Sequence, residues 1–173
     1  MPRAFASDDA DDLIQAERDV SRVLADLDLD FTSLAVVSNI FRVATAVRNH
    51  MERSVLAPHR LSWSAFVVLF VLRIWGPQDT RTLAAEAGIT PGTLTGVLIT
   101  LESRGMVRRR TRTDDRRRVT VRATAKGRRA IDEIMPAFNR HEVLVTQDLT
   151  ERQRSQLARA LRTVLRTVER VDA

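Results

Sequence analysis

The segment from residue 80 to residue 124 constrains the fold of this chain more than any other part of its sequence. It reads as a short helix, a tight turn at Gly88, a second helix beginning at Pro91, and an arginine-rich β-hairpin. Gly88 suits the left-handed residue that ends a helix, and its small size lets two helices cross closely. Thr90 is a good N-cap, and Pro91 suits the first helical position. The order of these elements predicts a helix-turn-helix followed by a β-wing.

The second helix of this pair carries an unusual surface. No charged residue lies between Glu86 and Glu102, and the exposed N-terminal face consists of small residues. Small residues let a backbone approach another surface closely, and Thr methyl and hydroxyl groups can contact base edges in a major groove. We therefore predict DNA contacts from Thr90, Pro91, Gly92, Thr93, Thr95 and Gly96. Taken alone, this helix would suit an ordinary helical hairpin with a Thr-rich surface equally well.

The hairpin favours the DNA-binding interpretation over an ordinary helical hairpin. Residues 107–112 and 119–123 are short runs that can pair as strands, and residues 119–122 alternate apolar and polar side chains. From residue 104 to residue 129 there are twelve Lys or Arg and two Asp. A charge run is normally a solvated face, but here it directly follows a helix-turn-helix. Arginines on such a wing can enter a narrow, negative minor groove. The predicted wing contacts are Arg112, Asp115, Arg116, Arg117 and Arg118.

Charge and composition narrow the class of protein. The formal net charge is +6, but residues 1–30 carry nine acids and three bases, so the positive charge lies in the rest of the chain. Double-stranded DNA is the natural partner of such a body, because neutralised phosphates release counterions. The chain has no Cys, no apolar run of membrane-spanning length and no signal-peptide pattern. We expect a cytoplasmic protein with no membrane partner.

Periodicity outside this segment predicts helices. Apolar positions recur with helical spacing in residues 8–29, 32–56, 124–148 and 150–171, and residues 61–75 are apolar on nearly every side. The predicted fold is mainly α with a small β-wing: a winged helix-turn-helix lobe inside a helical dimerisation frame, plus an extra N-terminal helix. The predicted domains are an acidic extension (1–30), dimerisation helices (31–60 and 125–173) and the DNA-binding lobe (61–124).

The flanking helices have more apolar surface than one lobe can cover, which indicates a partner subunit. A two-fold homodimer would place two recognition helices on one side, about one DNA turn apart. Such a protein would bind a pseudo-palindromic operator in double-stranded DNA.

The chain resembles the multiple-antibiotic-resistance regulator (MarR) family of winged-helix transcription factors over residues 31–171. Leu98, Leu101, Glu102 and Gly105 fill the family's L-x-x-L-E-x-x-G pattern, Asp115 and Arg117 fill its D-x-R wing motif, and Thr124 and Gly127 end its L-T-x-x-G motif, with Ala123 where Leu is usual. The resemblance implies a homodimeric regulator, usually a repressor. It also implies that Arg117 enters the minor groove and that Asp115 orients this arginine or a neighbour.

Two features depart from the family. Arginine is frequent in the family at the positions of Gly96 and Thr100. Because this chain has no arginine at either position, we predict that the wing contributes a larger share of the DNA affinity. The N-terminal extension is similar to that of the urate-responsive subgroup. However, Val67 stands where that subgroup carries an acidic residue, and residues 1–30 contain no Trp. We therefore do not predict urate as a ligand of this chain.

Trp63, His59 and Arg60 form the predicted effector pocket. They lie where the family keeps its ligand, and they combine an aromatic ring, a titratable ring and a cation that suit a small aromatic or phenolic anion. The alternative for Trp63 is ordinary packing. His50, His59 and His141 match no metal motif, so we expect scattered surface side chains, no metal and no cofactor.

Two other functions were weighed. A basic helical protein can bind structured RNA, but RNA readers usually present aromatic stacking platforms, and this chain has six Phe, two Trp and no Tyr. An enzyme is the less favoured class, because the sequence shows no nucleophile–base pair, phosphate loop or metal triad. We therefore predict a DNA-binding regulator that is not an enzyme.

Overall fold

The computed structural model of the chain describes residues 15–111 and 119–171. The chain forms two compact units, Met1–Val47 and Arg48–Ala173. The described part is mainly helical with one small antiparallel sheet, as the sequence predicts. The domain boundaries predicted at residues 30, 60 and 124 stay a prediction.

The first unit contains helix α1 (Gln15–Val23) and most of helix α2 (Phe31–Met51). Asp30 caps α2, because its carboxylate accepts hydrogen bonds from the Ser33 backbone N–H and hydroxyl at 2.9 and 2.8 Å. These bonds hold the pKa of Asp30 below its usual value. α1 packs on α2, where the Asn39 side chain donates to Glu17 at 2.6 Å. No described residue of α1 is buried, so the predicted packing of its apolar stripe stays a prediction.

The second unit is built around helix α3 (Trp63–Ile74). α2 ends in a wider turn at Glu52–Leu56 and a 3₁₀ turn at Ala57–His59, which contains Pro58. The Ser62 hydroxyl accepts from the Ala65 N–H at 3.2 Å and caps α3. Six of the twelve residues of α3 are buried, which confirms the predicted central helix. Among the described residues the buried core is entirely apolar.

Helices α4 (Thr80–Glu86) and α5 (Pro91–Ser103) form the predicted helix-turn-helix. Strands β2 (Val107–Thr111) and β3 (Val119–Ala123) form the predicted hairpin. A further strand, β1 (Gln78–Asp79), completes a sheet of order β1-β3-β2 and pairs antiparallel with β3. β1 was not predicted, because its two polar residues carry no strand pattern.

Two long helices follow the hairpin, α6 (Ala125–Val145) and α7 (Glu151–Val171). A capping box opens α7: the Gln153 N–H donates to the Thr150 hydroxyl at 3.3 Å, and the Thr150 N–H donates to the Gln153 side chain at 2.8 Å. Every described residue of α7 is exposed. No single helix in residues 15–111 and 119–171 is long and apolar enough to cross a membrane, although Phe31–His59 and Trp63–Ile74 pass that test together as a bent pair.

Candidate nucleic-acid interface

The turn between α4 and α5 has the predicted geometry. Gly88 adopts a left-handed conformation with φ of 61°, which a side chain would strain. The Ile89 N–H donates to the Ala84 carbonyl at 3.0 Å, so the end of α4 is satisfied as the chain turns. Leu83 and Leu94 are buried between the two helices. The turn therefore fixes where α5 begins and how it leaves the lobe.

The N-terminus of α5 is an exposed surface of small side chains. The Thr90 hydroxyl caps the helix by accepting from the Thr93 N–H at 3.1 Å, and Pro91 follows at the first helical position. The remaining predicted contact residues, Gly92, Thr93, Thr95 and Gly96, are all exposed. A Cβ atom at Gly96 would meet nothing within 4 Å, and one at Gly92 would meet only the Thr90 hydroxyl, at 3.9 Å. The protein itself therefore does not require glycine at these two positions.

The threonine hydroxyls on this face already have partners. The Thr90 and Thr93 hydroxyls bond to each other at 2.9 Å, and the Thr95 hydroxyl donates to the Pro91 carbonyl at 3.0 Å. A hydroxyl that donates its proton keeps lone pairs that can accept. The face therefore offers methyl groups and acceptor oxygens, which suit thymine methyls and the amino groups of adenine and cytosine.

Glu102 and Arg109 tie the hairpin to the C-terminal end of α5. The Glu102 carboxylate accepts from the Arg109 backbone N–H at 3.1 Å and from its guanidinium at 2.8 and 2.5 Å. These side-chain hydrogen bonds hold the pKa of Glu102 below its usual value and raise the pKa of Arg109. Glu102 belongs to the L-E motif of the resembled family. Here it holds β2 to the end of α5 through Arg109.

The two faces of the hairpin differ. Val107, Val121 and Ala123 are buried on the face that packs on the core, whereas Arg108 pairs with Arg122 on the outer face. A concavity of about 470 Å³ lies beside α5 and is lined by Arg81, Pro91, Thr95 and Arg109, among others. The wing-tip residues predicted to contact DNA, Arg112, Asp115, Arg116, Arg117 and Arg118, lie outside the described residues.

The three residues of the predicted effector pocket are close in sequence but differ in surroundings. Trp63 lies 6.1 Å, between ring centroids, from both Phe66 and Phe138, so it belongs to an aromatic cluster. Arg60 is exposed and left-handed, with φ of 54°. His59, Arg60 and Trp63 are all absent from the walls of the concavity beside α5. The ring contacts support ordinary packing as the role of Trp63, and its effector role stays a prediction.

Two contacts were not anticipated. The Arg104 guanidinium donates to the backbone carbonyls of Arg60 and His59 at 2.6 and 2.8 Å, which supports the strained Arg60 turn. His50 and His141 were expected to be scattered, but their ring nitrogens are 2.9 Å apart. Each of these contacts joins residues more than forty positions apart, so no local sequence pattern predicts it. Among the described residues no group of three metal-ligating side chains forms.

Comparison with known proteins agrees with this geometry. The family model described as "MarR family" matches residues 61–119. The chain is 35% identical over 136 residues to the "Uncharacterized HTH-type transcriptional regulator YwaE" of Bacillus subtilis (strain 168), a match that covers 79% of this chain and 80% of the relative. It is 25% identical to the "HTH-type transcriptional repressor YetL" of the same organism, over 77% of this chain and 80% of the relative.

Solved structures share the fold. One is described as "Crystal structure of NadR in complex with 4-hydroxyphenylacetate", with 25% identity and a TM-score of 0.63. The similarity covers 75% of this chain and 91% of that one. The two sequence relatives are named as a transcriptional regulator and a transcriptional repressor, which fits the predicted class at a general level.

Proposed function

Because the chain belongs to the MarR family of transcriptional regulators, we propose that it binds a pseudo-palindromic operator as a homodimer. In this proposal the N-terminal face of α5 enters the major groove of each half-site. Arg117 enters the adjacent minor groove, and the other wing arginines contact phosphates. The family membership establishes a DNA-binding regulator, and the roles of individual residues are our proposal.

One observation carries this proposal: the exposed N-terminal face of α5 has glycines that the fold does not need. Gly92 and Gly96 have open space around them, and both have ordinary negative-φ helical conformations. Glycine inside a helix costs about 1 kcal/mol relative to alanine. A surface that keeps two such residues beside exposed threonines suits close contact with a groove floor.

The homodimer is supported by apolar surface that the described chain leaves uncovered. Leu157, Leu161, Leu165 and Val168 of α7 lie on one helical face and are exposed. Soluble proteins rarely leave a stripe of this length in water. We propose that this face pairs with its two-fold copy.

We further propose repression relieved by a small aromatic anion. We infer repression because the YetL relative is named as a repressor. We infer the class of ligand because the NadR neighbour was solved in complex with 4-hydroxyphenylacetate. His59, Arg60 and Trp63 are the proposed contacts. Titration of Trp fluorescence with 4-hydroxyphenylacetate in wild type and Trp63→Phe tests them. If no quenching is specific to Trp63 and no DNA is released, the effector proposal fails.

The RNA-binding alternative has no support among the relatives, which are named as HTH-type transcriptional regulators. A direct comparison of duplex DNA and duplex RNA separates the two functions. The regulator proposal predicts salt-dependent binding that prefers B-form DNA, because a helix cannot read the deep, narrow major groove of A-form RNA.

Selection of binding sites from a random duplex library, followed by anisotropy titration at fixed salt, tests the function. We expect inverted half-sites with centres about 10 base pairs apart or a multiple of this spacing. Arg117→Ala should weaken binding by about 1–3 kcal/mol, whereas Arg159→Ala on α7 should not change it. Enrichment of no sequence, or equal affinity for duplex RNA, would contradict the proposal.

A further inference from the structure

A cavity of about 600 Å³ lies at the base of the hairpin, and none of the predicted DNA-reading residues of α5 lines it. Its walls come from the C-terminal end of α3, the start of α6 and the outer face of the hairpin. Five of its twelve lining residues are basic and none is acidic: Arg73, Arg108, Arg122, Lys126 and Arg128. We call this cavity the basal pocket.

Most of these cations have no carboxylate partner within the described residues. Arg73 bonds to Asp132 at 2.8 Å. Lys126 and Arg128 donate to backbone carbonyls, those of Arg104 and Ala123, at 2.9 Å each. Neither Arg108 nor Arg122 forms an ion pair with a described residue. The pocket therefore concentrates positive charge, most of which the described residues leave without a carboxylate partner.

The strand register increases this concentration. Arg108 lies directly opposite Arg122 in the β2–β3 pair, and like charges in directly opposite positions destabilise a sheet. The first turn of α6 also borders the pocket and contains no acidic residue, so the positive end of the helix dipole adds to the same field. An anion in the pocket would relieve the repulsion between Arg108 and Arg122 and would be attracted by the N-terminal end of α6.

Distance separates the basal pocket from the surface proposed to read DNA. Gly105, which lines the pocket, follows the last turn of α5, about 18 Å along the helix from Pro91 at 1.5 Å per residue. The Arg108–Arg122 pair lies three residues before the last described pair of the hairpin, about 10 Å along the strands. The basal pocket and the N-terminal face of α5 therefore lie at opposite ends of that helix.

We propose that the basal pocket binds a small molecule with two or three linked phosphate groups. Arginine forks bind phosphate oxygens in bidentate fashion, and the pocket volume is that of a ligand rather than of a single inorganic phosphate. Arg108 and Arg122 hold the phosphates from the hairpin, and Lys126 and Arg128 hold them from α6. The site is distinct from the proposed effector residues, and its occupancy does not depend on DNA binding.

Calorimetric titration of the full-length protein with tripolyphosphate tests the proposal. The test variant is Arg108→Gln with Arg122→Gln. The control is Arg110→Gln with Arg129→Gln, which also removes two charges, one from β2 and one from α6, at positions that do not line the pocket. We expect saturable binding to wild type and to the control, and an affinity about ten-fold or more weaker in the test variant, because two charge-assisted contacts are lost.

Thermal unfolding gives an independent readout. Tripolyphosphate should raise the Tm of wild type and of the control but not that of the test variant, because a ligand stabilises only the state that binds it. Without ligand, the test variant should be at least as stable as wild type, since its cross-strand repulsion is gone. Absent binding, or equal weakening in both double variants, overturns the proposal. Selective loss of duplex DNA affinity in the test variant, without loss of tripolyphosphate binding, overturns it as well.

Discussion

Gly127 shows how one residue holds the wing to the helical frame. A Cβ atom at this position would overlap the Met106 carbonyl oxygen and lie 3.3 Å from Leu69. The adjacent Thr124 hydroxyl caps α6 through the Gly127 N–H at 3.2 Å and donates to the Gly105 carbonyl at 2.7 Å. The T-x-x-G motif therefore joins the start of α6 to the start of the hairpin.

Gly127→Ala should destabilise the fold by about 1–3 kcal/mol, because the backbone it meets cannot rotate away as a side chain can. The gain in helix propensity is about 1 kcal/mol and only partly offsets this. Denaturant unfolding measures the difference, with Arg129→Ala on the exposed face of α6 as control. A Gly127→Ala protein as stable as wild type would show that the close approach is absent.

Several of these residue roles were predictable from sequence and others were not. The cap Thr90 was predicted, because a cap bonds within its own helical turn. The support of Arg60 by Arg104 was not predicted, since it joins residues 44 positions apart. The functional assignments at the wing tip remain predictions, because those residues lie outside the described part of the chain.

Among the elements, the hairpin owes its orientation to α5. β2 is joined to α5 by a turn at Gly105, with φ of 67°, and by the Glu102–Arg109 pair. The two side chains retain about a third of their exposure, so solvent screens their attraction. The pair therefore serves mainly to fix geometry, and its contribution to stability is small.

The Glu102–Arg109 pair should make the free energy of unfolding depend on pH. The folded-state pKa of Glu102 is lowered from 4.5, so its contribution is present above that pH and is lost as the pH falls through the lower folded value. Glu102→Gln should lower stability at pH 7 by no more than about 1 kcal/mol. The difference from wild type should shrink toward zero in acid. Glu86→Gln on α4 is the control, and a pH-independent difference for Glu102→Gln would contradict this assignment.

Element types followed from the sequence better than element ends. The long helices were predicted because their apolar positions repeat with helical spacing, and the hairpin because residues 119–122 alternate. β1 was missed because its pairing with β3 depends on the tertiary fold. The helix predicted to run to residue 56 changes at Glu52 into a wider turn, which apolar spacing does not reveal.

At the scale of the whole molecule, α7 is the clearest sign of a partner. Its 21 residues are all exposed although one face is apolar. Sequence periodicity shows that the face exists, and the structure adds that nothing within the described chain covers it. The identity of the partner as a second copy remains our proposal.

Changing both Leu161 and Leu165 to Asp should convert the dimer to monomers, because an interface cannot bury unpaired carboxylates without a large penalty. Changing Ser155 and Thr163 to Asp on the opposite face adds the same charge and should leave the dimer intact. Sedimentation velocity at micromolar concentration distinguishes the two results. A wild-type protein that sediments as a monomer would refute the dimer.

The central claim is that the N-terminal face of α5 contacts DNA closely, and Gly96→Ala tests it most directly. The new methyl has open space in the protein and should stabilise the helix by about 1 kcal/mol, which raises the Tm by about 2–4 °C. The same methyl should weaken binding to the selected operator by about 1–3 kcal/mol, measured by anisotropy at fixed salt. A Gly96→Ala protein that is more stable and binds the operator with unchanged affinity would contradict the account.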